Sequence, residues 1–118
     1  MKIEDFDNFF LGTSDLNESR IFYQDMLGLA VKFDFSAKGM IAFTVGDNEP
    51  AIILKDTALF PAAKPTIWFK VDSVLKCYEE LTAKGLHFST APYKIQTGWA
   101  VEFSDPAGNV LGFTDYLP

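Results

Sequence analysis

The sequence predicts an α+β fold built from one supersecondary unit, βαβββ, used twice. Two amphipathic segments, "LNESRIFYQDML" and "SVLKCYEELTAK", each follow an acidic residue and stop at a glycine, Asp15 to Gly28 and Asp72 to Gly85. They stand at an offset of 57 residues, which marks an internal repeat. Around each, alternation of period two outlines one strand before the helix and three after it.

In the first half the strands read "DNFFLGT", "LAVKFDF", "KGMIAFTVG" and "PAIILK". Ser14 or Asp15 can accept from the free N–H groups that open the helix, and Gly28 is placed to end it with a positive φ. Leu16, Ile21 and Phe22 are expected on the buried side, with Arg20 and Gln24 in water. In the second half the strands read "TIWFKV", "LHFSTAP", "TGWAVEFS" and "NVLGFTD", and Val74, Leu75, Tyr78 and Leu81 are expected to bury the helix. Turn residues stand at Ala37-Lys38-Gly39, Asp47-Asn48-Glu49-Pro50 and Asp105-Pro106-Ala107-Gly108. The organisation is therefore a single domain over 1–118, with module 1 at 1–56, a linker at 57–65 broken by Pro61 and Pro65, and module 2 at 66–118.

At 48% hydrophobic residues the chain can bury one real core. The net charge of -6 and ten scattered basic residues disfavour a nucleic-acid partner and favour a neutral or cationic small molecule. One cysteine, Cys77, makes no intrachain disulfide and fits a reducing compartment. The start of the chain shows no secretory pattern and no apolar run is long enough to span a bilayer, so a cytoplasmic protein without membrane association is expected. His87 reads as a polar residue at a strand start and Cys77 as a small mid-helix residue, so no nucleophile–base set is assembled.

With the repeat, "SDLNESRIFYQDMLGL" and the closing "FSDPAGNVLGF", the chain resembles the vicinal oxygen chelate superfamily, the glyoxalase/bleomycin resistance fold. The resemblance implies two modules whose curved mixed sheets form a cleft, with helices on the outer sides, and a homodimer. It also implies four cleft-facing positions where enzymes of the family hold a divalent metal. Carried onto this chain, those positions are Asn8, Lys55, Thr66 and Gly112. A glycine offers no donor and an ammonium repels a cation. The resemblance thus points to a metal-free branch with no catalytic residues, metal or cofactor.

The cleft is expected to be lined by Phe10, Phe35, Trp68 and Trp99, joined by Asn8, Lys55, Thr66 and Gly112, with Glu102 as a polar anchor. The function expected is sequestration of a partly aromatic or cationic ligand, as in antibiotic resistance of the bleomycin type. The alternative is a glyoxalase- or extradiol-dioxygenase-type metalloenzyme with an atypical site, and a third, weaker reading is a partner-binding module with a vestigial cleft.

Overall fold

The computed structural model describes residues 1–118. Its element order is a strand, a helix and three strands, twice over. The elements are β1 (Ile3–Thr13), α1 (Leu16–Ile21), a π turn over Phe22–Met26, β2 (Ala30–Phe35), β3 (Met40–Thr44) and β4 (Ala51–Asp56). Then come β5 (Thr66–Val71), α2 (Val74–Ala83), β6 (Tyr93–Ile95), β7 (Gly98–Ser104) and β8 (Val110–Thr114). The chain divides into two compact units, one of Asn8–Pro65 and one of Met1–Asp7 with Thr66–Pro118. Residues 1–7, read from the sequence with the first module, pack in the second unit. The Lys2 N–H donates to Asp72 Oδ1 at 3.0 Å, the N-terminal ammonium meets Glu80 at 2.9 Å, and the Phe6 ring stacks on Phe69.

In the Asn8–Pro65 unit the strands lie in the order β2-β3-β4-β1, with β1 parallel to β4 and the other pairs antiparallel. Ile41, Phe43 and Leu54 bury one face against Leu16 and Tyr23 of the helical segment. Asp15 caps α1 by accepting the Glu18 N–H at 2.9 Å, and Gly28 closes the segment at φ 71. The buried side differs from the expectation, because Ile21 and Phe22 are 52% and 50% exposed and Tyr23 is the residue that packs. The cause is the helical period: Tyr23 follows Leu16 by seven residues, two turns, and shares its face, whereas Ile21 and Phe22 lie off it. The π turn, in which the Leu27 N–H reaches back five residues to the Phe22 carbonyl, begins only at Phe22.

In the other unit the order is β5-β8-β7-β6, with β5 parallel to β8. Val71, Val74, Cys77, Val101, Phe103 and Phe113 form its core, with Tyr78 and Leu81 of α2 packed on it. Cys77 takes the place expected of Leu75, which is 43% exposed, and burial pushes the Cys77 thiol pKa up. Helix α2 is capped by Ser73, whose Oγ accepts the Lys76 N–H at 3.3 Å, while Asp72 turns to Lys2. Gly85, at φ 96, ends α2 as expected. The segment "LHFSTAP" is not a regular strand. It makes one isolated bridge, Phe88 to Phe103, because Leu86 and Phe88 turn into the core and Pro92 has no N–H to pair; the sixth strand is β6.

Asp115, 1% exposed, follows β8 and ties this unit together. Its carboxylate accepts the Val74 N–H at the start of α2 at 2.7 Å, the Trp99 N–H at 2.9 Å and the Leu117 N–H at 3.3 Å. No helix is long and apolar enough to cross a membrane. Asp115→Ala orphans these donors and is expected to cost about 2–4 kcal/mol, with Asp115→Asn costing less because one acceptor remains. Urea unfolding measures this; a loss within about 0.5 kcal/mol for the alanine variant would show that the carboxylate is dispensable.

Candidate functional site

In the unit containing residues 66–118, strand pairing sorts the side chains into two faces. Trp68 on β5 pairs with Gly112 on β8, which pairs with Glu102 on β7. The next rung runs Lys70, Thr114, Ala100 and Tyr93. These side chains, with Thr66, stand away from α2, because the intervening Phe69, Leu111, Phe113, Val101 and Phe103 belong to the helix-side core. Thr66, Trp68, Glu102 and Gly112 are therefore brought to one face. Trp99 is not: it alternates with Ala100, packs on the helix-side core and carries the Lys94 ammonium 5.4 Å from its ring. The expectation that two indoles wall one site is corrected by this strand parity.

At the centre of this face the Trp68 indole lies against Gly112. A Cβ built on Gly112 would stand 2.4 Å from Trp68 Cδ2 and Cε3, which no side chain tolerates. The missing side chain is thus the seat of the indole. Beside it, Glu102 accepts from the Tyr93 hydroxyl at 3.1 Å, and its own N–H donates to Thr90 Oγ1 at 3.2 Å. Partial desolvation and the Glu102 charge push the Tyr93 phenol pKa up, so the hydroxyl stays protonated and keeps donating. Farther along, the Asp7 carboxylate accepts from Thr114 Oγ1 at 3.0 Å and from the Tyr116 hydroxyl, and Lys70 Nζ lies 5.5 Å from the Tyr116 ring. Tyr93, Asp7 and Tyr116 were not singled out in the sequence; Asp7 alternates with Asn8 and Tyr116 lies beyond β8, so strand parity does not point to either.

In the Asn8–Pro65 unit, Asn8, Phe10, Phe35 and Lys55 likewise share the face away from α1. Phe10 pairs through Ile53 and Ala42 to Phe33, and Lys55 through Met40 to Phe35. Asn8 Oδ1 accepts the Ala51 N–H at 3.1 Å. Lys55 Nζ lies 4.4 Å from the Phe10 ring centre and 5.1 Å from that of Phe60, an ammonium held over aromatic faces.

The pairing also corrects one correspondence between the halves. Phe10 and Trp68 each stand five residues before the helix cap of their unit, Asp15 and Ser73, and they pair with Ile53 and Gly112. Ile53, not Lys55, is the counterpart of Gly112; Lys55 corresponds to Thr114. The offset of 57 holds for the closing glycines but not for the caps, since α2 starts at Ser73.

A divalent metal does not fit these positions. Asn8, Ile53, Thr66 and Gly112 offer no carboxylate, imidazole or thiolate, and Lys55, the residue first expected there, carries a positive charge. Nowhere in the chain do three or more His, Cys, Asp or Glu residues gather closely enough to hold an ion.

The fold and this face define a βαβββ-repeat protein in which Asn8, Ile53, Thr66 and Gly112 occupy the positions carried over from the resemblance. The chain belongs to the glyoxalase/bleomycin resistance protein/dioxygenase superfamily, whose sequence profile matches residues 5–113. Methylmalonyl-CoA epimerase from Mycobacterium tuberculosis shares the fold at a TM-score of 0.76 and 14% identity, covering 98% of this chain and 90% of that one. A superfamily member from Vibrio splendidus 12B01 matches at 0.69 and 16% identity, covering 98% of this chain and all of that one. A Streptomyces coelicolor methylmalonyl-CoA epimerase variant in complex with 2-nitronate-propionyl-CoA matches at 0.75 and 14%, covering 99% and 100%. No curated protein sequence matches the chain.

Because the indole fills the volume above Gly112, Gly112→Ala is expected to destabilise by about 1–3 kcal/mol through overpacking. Adding Trp68→Ala removes the clash, so the double variant should fall short of the summed losses by at least about 1 kcal/mol. Additive losses in a denaturation cycle would mean that the two residues are not in contact.

Proposed function

We propose that the chain is a metal-independent small-molecule-binding protein that sequesters a partly aromatic or cationic ligand, in the manner of bleomycin-resistance proteins. The observation that carries this reading is the Trp68 indole seated on Gly112, where the superfamily resemblance expects a metal-binding carboxylate. An indole cannot act as a Lewis acid, but it offers a ligand a flat apolar wall. Glu102, fixed by Tyr93, supplies a negative anchor on the same face, and the net charge of -6 favours a cation's approach. A glyoxalase- or dioxygenase-type metalloenzyme would need donors that Asn8, Ile53, Thr66 and Gly112 do not provide. The assembly that goes with the reading is a homodimer, and the setting a reducing cytoplasm, where the buried Cys77 stays a thiol.

The test is a fluorescence titration of a Trp99→Phe variant, in which Trp68 is the sole indole, with bleomycin-like glycopeptides, flat antibiotics and aromatic amines. Saturable quenching is expected, unchanged by chelator, and Trp68→Ala followed calorimetrically should weaken binding by about 1–3 kcal/mol. Silence across the panel, or binding lost on chelation, overturns the reading. Sedimentation equilibrium is expected to give twice 13.2 kDa.

A further inference from the structure

We propose that the Asn8–Pro65 unit carries a second binding site, on its helical side, for an uncharged, hydroxyl-bearing small molecule such as a sugar or cyclic polyol. A cavity of about 450 Å³ opens between the end of β1, the helical segment and the chain that follows β4. That volume falls within the roughly 300–1,000 Å³ of ordinary small-molecule sites. Five hydroxyl-bearing residues line it, Thr13, Ser14, Ser19, Tyr23 and Thr57, over apolar walls from Leu11, Leu54, Ala63 and Pro65. None of its lining residues is charged, in a chain of net charge -6. A charged ligand would lose hydration there without gaining a counter-charge, whereas a neutral polyol can trade its water hydrogen bonds for hydroxyls that both donate and accept. A second cavity of about 430 Å³ shares Thr13, Ser14, Ser19 and Tyr23 and extends the groove past Phe22, half-exposed and able to cover the C–H face of a ring. It also runs past the Asp15 and Glu18 carboxylates, which can accept from further hydroxyls of a polyol.

The hydroxyls are held in place. Thr13 Oγ1 and Ser19 Oγ lie 2.7 Å apart, and Thr57 Oγ1 donates to the Thr13 carbonyl at 3.2 Å. Tyr23 stacks on the buried Phe43 at 5.4 Å between ring centres and meets Phe22 edge-on, so its ring is fixed, yet neither its hydroxyl nor that of Ser14 has a hydrogen-bond partner in the protein. Tyr23 shares the face of Leu16, seven residues before it, and lies at the start of the π turn, a form that recurs at functional sites. The site lies on the face of the sheet opposite Asn8, Phe10 and Lys55, and the proposal stands whether or not the Trp68 face binds a ligand.

The experiment is an amide chemical-shift titration of the whole chain with D-glucose and with myo-inositol at tens of millimolar, beside acetate and methylammonium. Shifts confined to residues 11–23 and 54–65 with either polyol, absent with the charged probes, are expected. Tyr23→Phe keeps the ring stack and removes one hydroxyl, and should weaken the polyol response about fivefold. If that variant's own spectrum shows misfolding, the exposed Ser14→Ala takes its place with the same expected direction. No response to either polyol, shifts elsewhere, an equal response to the charged probes, or unchanged binding by the variant overturns the proposal.

Discussion

A single buried carboxylate holds the architecture of the unit containing residues 66–118. Asp115 has left water almost completely, and a carboxylate does so only when its lone pairs are met by donors. The three N–H groups it accepts from belong to the first turn of α2, to β7 and to the chain just beyond β8, three segments far apart in sequence. The positive end of the helix dipole adds to the attraction at Val74. Fixing the end of β8 against α2 sets the parity of the strand. Phe113 must then enter the core, and Gly112 and Thr114 must face away from the helix.

From that parity the character of the opposite face follows. Strand neighbours are about 4.8 Å apart, so a side chain as large as tryptophan overlaps the residue on the next strand. With any side chain at position 112, the Trp68 indole would have to stand up or swing aside; with glycine it lies flat. The same pairing puts Glu102 on the far side of the glycine, where Tyr93 orients it. Thus one glycine fixes the posture of the ring on the neighbouring strand.

The repeat and the helix ends were legible because they rest on local chemistry. Gly28 and Gly85 adopt the positive φ that a helix terminator requires, and Asp15 caps α1 through its own side chain. What escaped the sequence has more than one cause. Ile21 and Phe22 were expected to be buried because they are apolar, but a period of 3.6 residues sets Tyr23, seven residues after Leu16, on the Leu16 face. "LHFSTAP" alternates like a strand, yet Leu86 and Phe88 serve the core from an irregular chain. Trp99 was assigned to the site from its strand alone, without parity, and Lys55 from an offset that ignored the cap at Ser73. Asp115 carries no signal in the sequence beyond being an acid after an apolar strand.

On the proposed reading, stacking rather than coordination relates the site to stability. A bound metal can contribute on the order of 10 kcal/mol to folding, and its ligands are then poised only when it is present. An indole resting on glycine contributes about 1.5–3 kcal/mol by burying apolar surface, and it does so continuously. The face is therefore organised by its own side chains, and under the proposed function little ordering entropy would oppose binding. The Lys55 ammonium over Phe10 and Phe60 acts similarly in the other unit, where a side-chain cation and aromatic rings help to order the sheet face.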